Sequence, residues 1–431
     1  MSSSRHGNFH GRKMRNILLI FALLSVIGVQ SQTTSGRLPD GSSYQDMKLG
    51  LFVHYMNPAK EYRWGSTQWA DGSQVQSLEE LANNFDAEDL AKTAASMGAQ
   101  YVIFTTWHAN MNALYPSEVM KKWLPAHRTD RDVIRDLINA LKTRKIKLIL
   151  YVHPSDGHDF TKEDQERSGW NEGAPYKKWN DFINEMFDEV AARYGKDISG
   201  FYIDGGVPRQ VDTERLKKTI TARMPDAWRI QNSGLNPKLV DYAARERMET
   251  PYPATTWMMC HTIAYEWWAL SGTVTFCPEL AYQYTVLQAA VQGATGGGVA
   301  WSFGPHPGGR WELGVRSFCD RLGALVKKAG PSLIGSKPGQ AFITKDGTPL
   351  IGLTFAATES SDGKKTFVHL FKPPKGNTYT LPLPADGRRF NAARIIGKRG
   401  RVGLDQNQTG IIITVKSPDV WDDVDTIIEL R

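Results

Sequence analysis

Between residues 46 and 336, short apolar runs alternate with stretches in which apolar residues recur every three or four positions. The runs Lys48–His54, Tyr101–Thr106, Ile146–Val152, Ile198–Ile203 and Trp228–Gln231 have the length and composition of buried strands. Between them, Ala87–Met97, Arg131–Thr143 and Tyr176–Tyr194 carry helical periodicity. Asp86 stands at an N-cap with Asp89 three residues on, and Gly98 and Gly195 follow the first and last of these helices. Strand and helix joined by short loops imply a parallel sheet with right-handed crossovers. An open doubly wound sheet fits the alternation too, but would carry a glycine-rich phosphate turn after its first strand. Here that strand runs into Tyr-Met-Asn-Pro-Ala-Lys, so the pattern predicts an α/β fold of the (β/α)8, TIM-like barrel type.

The second half of the expected barrel is less regular. Plausible strands lie within Thr255–Tyr265 and Gly272–Phe276, a helix over Tyr282–Ala294, a glycine turn and strand over Gly296–Phe303, and a closing helix over Leu313–Ala329. From residue 337 to 431 the texture changes to short alternating segments (Leu350–Phe355, Lys365–Phe371, Thr378–Leu383, Ala393–Ile396, Gly410–Val415) separated by Gly, Pro and Asp turns. Such a pattern predicts a small antiparallel β-sandwich.

The first 31 residues belong to neither pattern. Arg5, Arg12, Lys13 and Arg15 precede the apolar run Ile17–Val29, and Ser31 follows, which is the layout of a cleavable signal peptide. The run is too short for a comfortable membrane span, so no membrane insertion is expected after cleavage. Residues 32–45 then form a linker. The chain would be secreted or periplasmic, with no lipid-anchor cysteine after the apolar run. The formal charge of +7 owes much to this leader; without its four basic residues 48 Lys and Arg face 45 Asp and Glu. No basic patch argues for nucleic acid. Three cysteines permit at most one disulfide and show no metal-ligand spacing.

The predicted strands end in polar residues: His54, His108 (after Trp107), His153, Asp204 and Asn232. In a (β/α)8 barrel the C-terminal strand ends form the active-site face, so these side chains share one rim. With 13 tryptophans, of which only Trp421 lies in the sandwich region, such a rim suits a carbohydrate: aromatic faces for the pyranose, carboxylates and imidazoles for its hydroxyls. Glycoside hydrolysis needs two carboxyl groups. Asp204, followed by Gly205-Gly206, is the candidate nucleophile; Glu246, Glu249, Glu266 and Glu279 are available as its partner. Metal-assisted hydrolysis through His54, His108, His153, His158 and Asp204 is the main competitor, but no HxH or HExxH spacing supports it. No cofactor motif is present.

Several ordered blocks resemble glycoside hydrolase family 29, the α-L-fucosidases. Gly50-Leu-Phe-Val-His54 is similar to that family's G-[IL]-F-[IV]-H-W, and Trp64-Gly65-Ser66 to its W/Y-G-S. Tyr101–Ser117 resembles the Y-V-V-L-T-x-K-H-H-D-G-F-x-L-W-P-S block, and Arg131-Asp132-Val133 the R-D-V. Phe201-Tyr202-Ile203-Asp204-Gly205 resembles the nucleophile strand L-W-F-D-G. Gly296–Pro305 is similar to G-G-N-x-L-L-N-x-G-P, and Ile395-Ile396-Gly397 to the L-L-G of the C-terminal sandwich. The resemblance implies an exported retaining glycosidase acting on α-L-fucosides or a related α-glycoside of an oligosaccharide or glycan. Asp204 would be its nucleophile, His54 and His108 hydroxyl ligands, Trp64 and Tyr202 pocket walls, and His153 a further contact. The chain also departs from the family. Ala109 stands at the second histidine of H-H, Asn110 at the following Asp, Thr67 or Gln68 at a loop Glu, and Met258 at the Glu of W-E-x-C. The acid/base then falls to Glu249 or Glu266. Glu266, among Tyr265, Trp267 and Trp268, has the more apolar setting a proton donor needs. A barrel that kept Asp204 and lost its partner would instead bind sugar without turnover.

Overall fold

The computed structural model describes residues 37–56, 66–205, 209–232, 236, 238–246, 257–264, 266–270, 272–291, 298–345, 350 and 354–431. The expected signal segment, together with Trp64, Glu249 and Tyr265, lies outside them. Eight parallel strands close a barrel in sequence order: β1 (Leu49–Val53), β2 (Tyr101–Thr105), β3 (Lys147–Val152), β4 (Gly200–Ile203), β5 (Trp228–Asn232), β6 (Tyr242–Glu246), β7 (Trp257–Thr262) and β8 (Val299–Ser302). The ring is sealed where β1 pairs with β8, Gly50 opposite Ala300 and Phe52 opposite Ser302.

The period of two along each strand sorts its residues into two cores. Leu49, Leu51 and Val53 of β1, with Val102, Phe104, Leu148 and Leu150, face the surrounding helices. Phe52, Tyr101, Ile103, Ile149, Tyr151, Tyr202, Trp228 and Ile230 fill the barrel interior. Gly50 makes room there, because a Cβ would lie 2.2 Å from the Tyr101 ring. Gly200 is required for a different reason: its φ is +152°, and a Cβ would meet the carbonyl of Trp228, its partner on β5, at 2.0 Å.

The outer helices follow their caps. Asp86 accepts from the Asp89 amide at 2.9 Å to start α2 (Ala87–Met97, after a short α1 at Leu78–Asn83), and left-handed Gly98 ends it. Asp132 caps α4 (Val133–Lys142, after α3 at Glu118–Trp123), whose Val133, Ile134, Leu137, Ile138 and Leu141 are all buried. After α5 (Lys162–Ser168), the long α6 (Lys177–Tyr194) ends at Gly195, and α7 (Thr213–Arg223) leads to β5. In the later half α8 covers Pro278–Val291 and α9 Val315–Ala329. The segment Tyr242–Glu246, not expected as a strand, supplies β6; of Gly272–Phe276, expected to contain one, only Thr273 pairs, in an isolated bridge to Leu313.

Beyond the barrel a five-stranded antiparallel sheet and a three-stranded one enclose a core that includes Phe342, Val368, Leu381, Ile411, Ile413 and Ile428. A buried polar knot joins it to the barrel: Asp425 accepts from Tyr282 of α8 at 2.5 Å and from His369 Nδ1 at 2.7 Å. All three cysteines are free, Cys260 and Cys319 buried and Cys277 exposed. Among the described residues no helix is long and apolar enough to cross a membrane.

Candidate active site

The site follows from the inward register. On five strands the residue two places beyond an interior packing residue is polar and opens at the C-terminal mouth: His54 after Phe52, His153 after Tyr151, Asp204 after Tyr202, Asn232 after Ile230 and Glu246 after Ala244. A cavity of about 420 Å³ lies there. His54, His108, Asp204, Asn232, Glu246 and Glu266 give it a polar side; Phe52, Cys260, Trp267 and Trp268 give it an apolar one.

Asp204 is half-buried and held from three directions. Tyr151 Oη donates to Oδ2 at 2.5 Å, Asn232 Nδ2 to Oδ1 at 2.8 Å, and the Gly205 amide to Oδ1 at 2.7 Å. Burial works to raise its pKa, but the imidazoles of His153 and His108 and the donors Tyr151 and Asn232 outweigh it, leaving the carboxyl below its ordinary range. The same Asn232 Nδ2 also donates to Glu246 Oε1. One amide nitrogen therefore bridges two carboxylates. That arrangement fixes the orientation of the Asn232 side chain, since only its NH2 can face two acceptors.

The histidines form a stack beside this pair. His54 is buried, its pKa driven well down by burial and by His108, with Asp204 opposing; its Nδ1 is buried without a protein partner. His108 contacts Asp156 through Nδ1 at 2.7 Å, and its ring lies 5.4 Å from those of both His54 and His153. Asp156, 1 % exposed, also meets His158 at 2.9 Å. Burial pushes the Asp156 carboxyl up, but His153 together with the contacts from His108 and His158 holds it well below the usual range. Asp156, His158 and Asp159 are, among the described residues, the one group that brings three metal-type ligand atoms within 4.8 Å, and Asp156 already spends both oxygens on imidazoles.

The sequence-predicted residues are thus placed unevenly. Asp204, His54, His108 and Glu266 line the cavity. His153 stands behind it: a Cβ on Gly205 would be 2.9 Å from its ring, and its Nδ1 has no hydrogen-bond partner, the nearest carboxylate oxygen being that of Asp156 at 4.0 Å. Tyr202, expected as a wall, is covered. It faces the same way as Asp204 one layer deeper, stacks 5.8 Å from Tyr151 and contacts Cys260 at 3.4 Å, so it supports the floor. Trp64 and Glu249 fall outside the described residues. Sequence reasoning missed Tyr151, Asp156, Trp267 and Trp268 as parts of the site, and ranked Glu246 below Glu266. Tyr151 and Glu246 share a signal that could have found them, an inward register at the top of a strand.

The sequence model of the α-L-fucosidase family matches residues 30–331. Among curated proteins none matches the chain. Several solved structures are similar to it. An α-L-fucosidase isoenzyme from Paenibacillus thiaminolyticus is 17% identical with a TM-score of 0.68, over 90% of this chain and 97% of its own. A family 29 α-L-fucosidase from Bacteroides thetaiotaomicron is 18% identical, TM-score 0.68, over 93% and 96%. The α-fucosidase of Thermotoga maritima is 16% identical, TM-score 0.65, over 90% and 96%.

Proposed function

We propose a function on one premise: this chain belongs to the α-L-fucosidase family, a family of glycosidases acting on glycans. Our reading is a retaining glycosidase, exported by its N-terminal segment, that cleaves α-L-fucosides or a closely related α-glycoside. The observation that carries it is the Asn232 bridge. Two oxygens bonded to one nitrogen lie no further apart than two hydrogen-bond lengths, about 6 Å. That fits the ~5–5.5 Å of retaining enzymes rather than the ~6.5–9.5 Å of inverting ones. A Bacteroides thetaiotaomicron relative captured as a covalent intermediate with 2-fluoro-fucosyl fluoride supports the same chemistry.

In this reading an Asp204 oxygen attacks the anomeric carbon and the glycosidic bond breaks. Glu246 gives its proton to the departing oxygen, then takes one from the water that releases the sugar from Asp204. His54, neutral because it is buried, offers its ring nitrogens to sugar hydroxyls alongside His108. Trp267 and Trp268 cover the apolar face of the ring. Glu266 is the second candidate for the proton donor, because it lines the same cavity next to Trp267.

Aryl α-glycosides of fucose, galactose, rhamnose and arabinose test the reading. Wild type turns over at least one of them, and Asp204→Ala loses at least about 10³-fold in kcat. Glu246→Gln and Glu266→Gln separate the two donors: with an activated aryl leaving group, added azide restores turnover in the variant that lost the acid/base. Turnover of no glycoside by wild type would leave a sugar-binding barrel as the better reading, and activity surviving in Asp204→Ala would remove the nucleophile.

A further inference from the structure

Glu312 is a buried carboxylate that the chemistry above does not use. It is 8% exposed, on the segment between β8 and α9, and its Oε1 accepts from the Leu270 amide at 3.0 Å. Leu270 closes the described segment 266–270, which carries Glu266, Trp267 and Trp268 to the cavity. Other ties on that segment include the bridge of Trp268 to His54, the Gln68 amide donating to the Ala269 carbonyl at 3.1 Å and Ser302 Oγ donating to the Trp267 carbonyl at 3.5 Å. Gln68 is itself braced, its carbonyl 2.7 Å from His306 Nδ1. The Trp268 indole nitrogen is buried with no protein partner, so its side chain does not anchor the segment through a hydrogen bond.

We propose that Glu312 is a positioning residue, its carboxylate holding segment 266–270 so that Trp267 and Trp268 stay against the sugar pocket. The inference rests on the glycosidase reading for its effect on turnover, but not for the tether itself. A carboxylate is the strongest acceptor available for a backbone amide, and a tie at Leu270 restrains the backbone two residues beyond Trp268. The Leu270 amide and Gly272 approach from the loop after β7, a Cβ on Gly272 lying 3.7 Å from Oε1. On its own segment, Trp311 Nε1 and Arg316 are both turned to Asp89, at 2.6 and 2.7 Å. Burial pushes Glu312 up to about 7, opposed by the Leu270 amide, so the tether weakens as the carboxyl takes up a proton near neutral pH.

The test compares wild type, Glu312→Leu and Glu312→Gln by hydrogen–deuterium exchange between pH 5.5 and 8.5, corrected for intrinsic rates. At pH 8, peptides covering 266–270 exchange about tenfold faster or more in the leucine variant, while glutamine, a neutral acceptor, gives intermediate protection equal to that of wild type at pH 5.5. Wild-type protection falls towards pH 5.5 and that of the glutamine variant does not. With an aryl α-L-fucoside at pH 8, Glu312→Leu raises KM about tenfold with kcat within about threefold, and Glu312→Gln gives a KM between the two. Unchanged exchange in Glu312→Leu, or a fall in kcat with KM intact, overturns the proposal. Should the leucine variant not fold, equal pH dependence of exchange in wild type and Glu312→Gln overturns it instead. Silence of wild type on every glycoside sinks the glycosidase reading alone, and the exchange result still decides the tether.

Discussion

Asn232 is the residue whose alteration bears most directly on the chemistry. It is 3% exposed, and its Nδ2 serves Asp204 at 2.8 Å and Glu246 at once. Asn232→Ala removes a donor from each carboxylate. A hydrogen bond to a charged group contributes about 1.5–3 kcal/mol, and only the portion that grows in the transition state reaches kcat/KM. A loss of roughly 10–100-fold is the expected outcome. Asn232→Asp keeps the shape and inverts the interaction, placing a third carboxylate against the other two. At about 3 Å and an effective dielectric near 20, each new repulsion would exceed ~4 kcal/mol if all three stayed ionised. One of the three must therefore hold a proton at neutral pH. Activity of Asn232→Asp should fall at least about 10³-fold at pH 7, with both limbs of its pH profile displaced to higher pH. The assay is kcat/KM against pH on an aryl α-L-fucoside for all three proteins. An aspartate variant within about tenfold of wild type at pH 7, with an unmoved profile, would refute the bridge as the element that joins the two carboxylates.

Three further substitutions, at other contacts, have defined outcomes. Asp156→Asn should raise KM about tenfold by loosening the carboxylate contact that orients His108 through Nδ1, with a smaller change in kcat. Because the folded Asp156 carboxyl lies below its ordinary value of 3.8, its stabilising contribution is complete above that value and is lost as pH falls beneath it; thermal unfolding between pH 2.5 and 7 should show this acid loss in wild type and less of it in the variant. Gly200→Ala should cost more than about 4 kcal/mol or prevent folding, since a 2.0 Å approach to the Trp228 carbonyl meets backbone that cannot yield; denaturant titration measures it. Tyr282→Phe should lower stability by about 2–3 kcal/mol, by stripping a donor from buried Asp425, and leave KM unchanged.

The barrel was legible wherever a strand was made of apolar β-formers. β1 to β5 and β8 announce themselves by runs such as Leu-Ile-Leu-Tyr-Val and by capped helices between them. β6 does not, because Tyr-Ala-Ala-Arg-Glu has two alanines where branched residues would signal a strand. Its pairing comes from its neighbours, Ile230 opposite Tyr242 and Glu246 opposite Cys260. Missing that strand had a chemical consequence: Glu246 read as one of several loop glutamates, when it occupies the strand tip two places from Asn232's partner. Asp156 was hidden for a different reason. Its contact with His108 spans 48 residues and depends on how two loops turn, which local pattern does not encode. Tyr202 shows the opposite case. The period of two already placed it on the Asp204 face and one layer deeper, so its burial was there to be read.

The division of labour between strand tips and loops explains why the second carboxylate should be sought on β6. Asp204, Asn232 and Glu246 project from three consecutive barrel strands whose backbone pairing holds them in fixed register. A double displacement needs its two carboxyl groups kept within about an ångström of one separation through both half-reactions, and rigid elements meet that demand better than loops. Glu266 reaches the same cavity from a segment whose ties include one ionisable residue, Glu312. A group placed that way suits shaping a pocket around different sugars, with Trp267 and Trp268 beside it, better than timing a proton. Under the proposed reading Met258, where the family resemblance puts a glutamate, would not block catalysis, because Glu246 on the neighbouring strand would give the proton.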